Sequence, residues 1–474
     1  MIRNRSFDLY LDKDLIRLID MHNDLNNDTS YRNDSRAVSS PVHGWNRSWD
    51  YPYSKEVTSG NDGGENSEAP SASSPKEVSR RHRLLEKLSL KSGLLGEKIT
   101  EVSWIFIIFM ISRCVLFSII YLGNYHYPSE VNYIHEPLFS NVVGDTMNIM
   151  CQFDCAWFET VARDGYAPVP QNLTTGHAAN WAFLPGYPML ARAVSFVLGG
   201  NYLLGLMAVS NLSFLLALFL WNNYLKLHNL SRSVREASTV ILCFLPYSIY
   251  FMAPYSESLF LVFSILAFTF IAKKNFLMAG LVAMGMSATR NVGVMFVFPL
   301  LLAGIMEYGF RNLFTFNRNN LKLILGIMLV PLPMFIYQNY LFNLTGDSFA
   351  FMHIQWAWGR SMGNPVKYVI QGLMTGGYKE YFSIMIIMSL PLVWYLFRQK
   401  YYAESLYFII CILIPVMTGV NAFPRYLFCM LPCLLTFTLI VKNNMAARSL
   451  LPVVFALFSV FFALAWGHSK FFVI

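Results

Sequence analysis

The chain has 474 residues, of which 55% are hydrophobic and only 14% charged, with a formal net charge of +8 and a mean hydropathy of +0.41. A soluble domain carries about a quarter charged residues, so a soluble globular protein is excluded and a polytopic membrane protein is indicated. The basic residues lie in short clusters between apolar segments, a pattern of membrane topology and not of nucleic-acid binding.

Residues 1–78 are polar and rich in Asn, Ser, Asp and Gly, as in SGNDGGENSEAPSASSP. They have no apolar periodicity and no signal-peptide core, which predicts a disordered tail. Residues 79–101 turn basic, with Leu84, Leu85, Leu88 and Leu95 at near-helical spacing. This predicts a juxtamembrane helix on an anionic membrane surface. Residues 102–474 form the membrane domain.

The first span is expected over 103–123 and leads into a large first outer loop, 124–200, carrying amphipathic helices. Further spans are expected over 203–224, 237–253, 257–272, 276–289, 292–308, 323–342, 382–397, 404–420, 424–441 and 449–466. The fold class is therefore an all-α polytopic membrane protein with about eleven transmembrane helices. The order places Lys226, Arg232, Arg235, Lys273, Lys274, Arg311, Arg318, Lys322, Arg398, Lys400, Lys442 and Arg448 inside, as the positive-inside rule requires. The amino-terminal tail is then cytoplasmic and the carboxyl terminus outside. The stretch 185–199 is apolar but short and begins with Pro185 and Pro188. If it crossed, every later basic cluster would fall outside, so it is expected to be re-entrant or to lie on the membrane.

Within the first outer loop, QFDCAWFETVARDGYAPVPQNLTTGHAANWAFLPGYP is polar, aromatic and rich in carboxylates, and Arg163 is its only Lys or Arg. A mere connection between two spans needs no such segment. Asp154 opens a predicted short helix whose apolar face is Trp157, Phe158, Val161 and Ala162, and Asp164-Gly165 ends it. The dipole at the helix N-terminus favours an ionised carboxylate there. Such a carboxylate suits a general base; equally, Asp154 serves as a simple helix cap.

The same topology collects further polar groups on the outer side. Glu159 and Asp164 lie in the first loop, Glu257 at the next outer turn, and Arg290 with Asn291 at the third. Asp347, His353 and Arg360 lie in TGDSFAFMHIQWAWGR, and Arg425 in NAFPRY. A charge at helix-centre depth costs ~2.5–3.5 kcal/mol on the insertion scale, so the convergence calls for a reason. Arg290, Arg360 and Arg425 are candidates for a phosphate clamp, because Arg presents a fork of donors. The alternative is a helix-end salt bridge to Glu257 or Asp347. Trp181, Phe183, Trp356 and Trp358 are candidates for the walls of a sugar pocket, or members of an interfacial aromatic belt.

His177 and His353 lack ligand spacing, and so do the Cys pairs 151/155 and 429/433, so no metal site is expected. The cysteines read as small apolar helix residues. No Gly-rich nucleotide loop or P-loop is present. No cofactor is expected, and a sugar donor used outside would be membrane-borne.

The segments FDCAWFETVARDGY, NWAFLPGYPML, PYSESLF, ATRNVG, GDSFAFMHIQWAWGR and PRYLF, in this order, resemble the PIG-V family, the GPI mannosyltransferase II proteins and their prokaryotic relatives, of the GT-C class. The resemblance covers roughly residues 100–470. It implies a GT-C-like membrane fold and inverting transfer of mannose from polyprenyl-phosphate mannose, with Asp154 as the base. It also implies a glycolipid acceptor, as in GPI-anchor biosynthesis, or an envelope glycan. The site would face outward from a bacterial plasma membrane or the lumen of a eukaryotic endoplasmic reticulum. The family usually has Trp before this Asp; Phe153 keeps the aromatic ring and loses the indole N–H. Two other classes fit a polytopic chain with intramembrane charges: a lipid or glycan transporter, which should show internal repeats that are not found, and a non-catalytic subunit of a glycosylation complex.

Overall fold

The computed structural model describes residues 75–126, 148–170, 177–315, 317–468 and 470–473. The expected tail over 1–78 lies almost wholly outside the described residues. The protein is an all-α polytopic membrane protein. Helix α1 (Pro75–His126) joins the basic segment and the first span in one rod. It is followed by α2 (Cys155–Asp164), α3 (Gly186–Val197), α4 (Tyr202–Leu227), α5 (Arg232–Cys243), α6 (Glu257–Ala272), α7 (Phe276–Thr289) and α8 (Val297–Tyr308). Then come α9 (Arg318–Leu329), α10 (Leu332–Thr345), the single turn α11 (Ala350–His353), α12 (Pro365–Thr375) and α13 (Gly377–Arg398). The chain closes with α14 (Tyr402–Val416), α15 (Phe423–Phe428), α16 (Leu431–Asn443) and α17 (Met445–Gly467).

Among the described residues, six helical segments are long and apolar enough to cross a membrane: Lys98–Gly123, Tyr202–Leu227, Asn291–Tyr308, Arg318–Thr345, Gly377–Arg398 and Met445–Gly467. Four shorter apolar helices, α6, α7, α14 and α16, run beside them. The stretch 237–253 departs from the expected single span. Helix α5 stops at Cys243, and the chain then runs through Pro246 and a 3₁₀ turn, Ser248–Phe251, before α6 begins. Proline removes an N–H and clashes with the preceding turn. Residues 244–256 are all buried, which is the condition for irregular backbone at membrane depth. Their polar groups are met internally: Tyr247 donates to the Phe472 carbonyl at 2.9 Å, Tyr250 to the Val473 carbonyl at 2.8 Å, and Ser248 bonds Ser459 at 2.7 Å. Pro331 likewise interrupts the Arg318–Thr345 segment between α9 and α10.

Helix α3 has 12 residues, about 18 Å at 1.5 Å per residue, against a hydrocarbon core of about 30 Å. One face packs on α4, while Phe196 and Val197 are 87% and 81% exposed. Small residues allow the closest helix approaches. A Cβ at Gly205 of α4 would stand 2.7 Å from the Ala191 carbonyl of α3, and one at Gly280 of α7 would overlap the Gly326 backbone of α9.

Ion pairs gather at both ends of the bundle. At one end Glu101 is paired with both Lys226 and Arg235, and Lys274 with Glu307 at 2.7 Å. The starts of α2 and α6 and the ends of α7 and α17 gather at the other end, where residues 152–158 meet Tyr255 and Trp466.

Candidate functional site

Helix α2 forms as the sequence predicts. Trp157, Phe158, Val161 and Ala162 are buried, and Gly165, at φ 83°, closes the helix with its N–H on the Val161 carbonyl. Asp154 stands at the N-cap position, but its side chain makes no capping hydrogen bond. Its carboxylate goes elsewhere. Oδ2 accepts from Nη1 of Arg425 at 2.7 Å, and Oδ1 has no partner among the described residues.

Arg425 is the hub. It sits on α15, entered through Ala422 in the left-handed region (φ 61°) and Pro424. Its guanidinium lies 4.6 Å from the ring centre of Tyr250 and 4.5 Å from that of Tyr255, a cation–π sandwich that replaces lost hydration. Its Nε bonds Glu257 Oε1. Arg290 Nη1 approaches the same oxygen at 2.6 Å, as an ion pair without hydrogen-bond alignment. The result is a four-membered chain, Asp154–Arg425–Glu257–Arg290, with two charges of each sign. Burial of such groups requires this pairing.

Exposure separates the members. The Glu257 side chain is 1% exposed and that of Arg425 5%, whereas Asp154 is 25% exposed. Asp154 is therefore the carboxylate of the chain that a ligand can meet. Arg360 joins from its own loop. Its Nη2 donates to the Asn421 carbonyl at 2.7 Å and its Nη1 to Thr418 at 3.3 Å. No carboxylate pairs with it among the described residues. The three arginines surround one ring: Arg290, Arg360 and Arg425 lie 5.3, 5.7 and 5.9 Å from the centre of Tyr426.

Five chain segments far apart in sequence thus bring together Asp154, Glu257, Arg290, Arg360 and Arg425. For Arg290 and Arg425 the salt-bridge alternative applies, because Glu257 engages both. Asn291 follows Arg290, and its Oδ1 is buried with no hydrogen-bond partner. Phe183 and Trp358 pack with Trp157 at centroid distances of 6.0 and 5.7 Å, forming an aromatic cluster beside Asp154.

Other candidates stand apart. Trp181 is turned inward as a strut: it is 9% exposed, its indole donates to the Ala167 carbonyl at 2.6 Å, and its own carbonyl accepts from Tyr337 at 2.7 Å. Glu159 is buried on α2, and Asp164 is exposed and paired with Arg163 at 3.1 Å. Asp347 and His353 form an exposed pair at 2.6 Å. Burial alone would raise the Asp347 carboxyl, but the His353 and Phe349 hydrogen bonds outweigh it and hold the group below its ordinary value. Trp356 is 59% exposed and has His177 near it. These groups follow one another in sequence with Arg360, yet only Arg360 and Trp358 reach the arginine and aromatic clusters.

The sequence reading of Cys151 and Cys155 as simple apolar residues is corrected: they form a disulfide, closing a loop that contains Asp154. Reaction of the denatured, unreduced protein with a thiol reagent should label Cys114, Cys243, Cys411, Cys429 and Cys433. The peptide over 151–155 should take its two labels only after reduction. Labelling of that peptide without reductant would show that the bridge is absent.

No family model matches this sequence, and no curated protein matches it. Among solved structures, the chain is similar to the Archaeoglobus fulgidus oligosaccharyltransferase, crystallised in complex with zinc and sulfate. Identity is 11%, the TM-score is 0.37, and the match covers 77% of this chain and 53% of the other. The chain thus spans about half the length of that protein. At this level of similarity no residue role passes from one to the other.

Proposed function

We propose that the protein is an inverting membrane glycosyltransferase of GT-C type that moves mannose from a polyprenyl-phosphate donor to a hydroxyl of a glycolipid or glycan. The observation that carries this reading is one partly exposed carboxylate, Asp154, set beside three convergent arginines in an otherwise apolar chain. Displacement at an anomeric carbon needs a base on the acceptor hydroxyl and positive charge at the departing phosphate. Asp154 Oδ1 takes the hydroxyl proton. The hydroxyl oxygen forms the new glycosidic bond as the anomeric carbon–phosphate bond breaks, and the lipid phosphate leaves with the electron pair. Arg360, which has no carboxylate partner, meets that phosphate, and Arg290 adds charge behind it. Arg425 keeps its place between Asp154 and Glu257. Phe183 and Trp358, packed on the buried Trp157, line the sugar's side of the site. The motif resemblance to the PIG-V family supports mannose as the sugar. The disulfide beside Asp154 supports a site facing an oxidising compartment, which agrees with the outward side expected from the basic residues.

Arg360→Ala should lower turnover with a polyprenyl-phosphate mannose donor by about 10²-fold or more, with little change in thermal stability. Donor-concentration curves for the purified variant test this. Unchanged kinetics would remove Arg360 from the site.

A further inference from the structure

We propose that Tyr255 is a positioning residue for Asp154, acting through its hydroxyl on the backbone that carries the carboxylate. The inference rests on the reading of Asp154 as the base.

Tyr255 is fully buried. Its hydroxyl donates to the Gln152 carbonyl at 2.6 Å and accepts from the Asp154 N–H at 2.9 Å. One oxygen therefore grips the chain on both sides of Phe153, which stands in the left-handed region at φ 53°. A non-glycine residue holds that conformation only where its surroundings over-determine it. The Phe153 ring is itself pinned edge-on against Trp466 at 5.5 Å.

Tyr255 is in turn fixed from several directions. Its carbonyl accepts from Ser210 at 2.8 Å, and Ser210 bonds the Tyr187 hydroxyl at 2.8 Å. Its ring meets Tyr250 at 4.9 Å and Trp466 at 5.6 Å, while Arg425 lies over its face. The same residue thus orders the backbone of Asp154 and the guanidinium that binds the Asp154 carboxylate. Loss of the hydroxyl takes this partner from the Asp154 N–H and from the Gln152 carbonyl, which keeps the Cys155 N–H at 3.2 Å. The carboxylate then loses its fixed distance from a bound hydroxyl. Misplacement of a reacting group by about 1 Å can cost about 10²-fold in rate. Being buried, Tyr255 offers no surface to substrate, so binding should be untouched.

The test compares purified wild type, Tyr255→Phe, Asp154→Asn and the double variant in transfer from polyprenyl-phosphate mannose. Tyr247→Phe, which removes another buried tyrosine hydroxyl of the same irregular segment, is the control for structural loss. Tyr255→Phe should lower kcat by about 10-fold to 10²-fold, with KM for donor and acceptor unchanged and melting no lower than for Tyr247→Phe. In the Asp154→Asn background the same change should cost no further activity, because residues acting as one unit are not additive. Wild-type kcat in Tyr255→Phe would overturn the proposal, as would a loss that multiplies with that of Asp154→Asn. Loss of folded protein in Tyr255→Phe but not in Tyr247→Phe would assign the hydroxyl to folding and overturn it too. Full activity of Asp154→Asn would instead overturn the base assignment itself.

Discussion

Asp154→Asn should lower sugar transfer by about 10²–10⁴-fold, the usual contribution of a general base, while the protein inserts and folds normally. The Asp154 side chain makes no capping bond, so α2 loses nothing at its N-terminus. The Asn amide oxygen still accepts from Arg425, and Arg425 keeps its bond to Glu257. The positive charge left behind stays on Arg425, which keeps Glu257 as its partner and the Tyr250 and Tyr255 rings on either side. The carboxylate's charge and its basicity disappear, while its size and accepting oxygen remain. Asp164→Asn is the matched control, because that carboxylate is exposed and paired with Arg163. Glu159→Gln is the second control, on the same helix. Full activity of Asp154→Asn with loss in a control would move the base to another carboxylate.

Arg425→Met should act on stability first, by about 3–5 kcal/mol, the range for removing one partner of a buried ion pair. The substitution strips Asp154 of its partner and leaves Glu257, 1% exposed, with Arg290 alone. It also empties the space between the Tyr250 and Tyr255 rings, which bracket the guanidinium at 4.6 and 4.5 Å. Arg425→Lys should recover part of the loss, since it restores charge without the fork that serves two carboxylates. Thermal unfolding in detergent, followed by the monodisperse fraction on size exclusion, reads both variants. Wild-type melting of Arg425→Met would mean that the network contributes little to folding.

Much of this site was legible in the sequence because charge is conspicuous in a chain that is 14% charged. Glu257, Arg290 and Arg425 stand out at predicted span ends and Asp154 in the first outer loop, and a salt bridge was one of two readings open for the arginines. The tyrosines were not legible. Tyr250, Tyr255 and Tyr426 hold the network through ring faces and backbone bonds, and in an apolar chain a tyrosine reads equally as core or belt. The pairing of Cys151 with Cys155 was missed because spacing of four residues lacks a zinc pattern; the sharp turn at Phe153 that precedes α2 was not visible in composition. Sequence adjacency also misled. Asp347, His353 and Trp356 were grouped with Arg360, but the turn of α11 and the 3₁₀ segment after it leave the first three exposed. The break of the 237–253 stretch had a signal in Pro246, which hydropathy alone overrode.

The central claim is that this chain transfers a sugar from a lipid phosphate. The most direct measurement supplies purified wild-type protein with polyprenyl-phosphate mannose labelled in the sugar, together with extracted acceptor lipids, and follows label and anomeric configuration in the product. The expected result is a labelled product with inverted configuration, abolished by Asp154→Asn and absent when a nucleotide sugar replaces the lipid donor. Transfer from the nucleotide sugar but not the lipid donor, or a product of retained configuration, would contradict it.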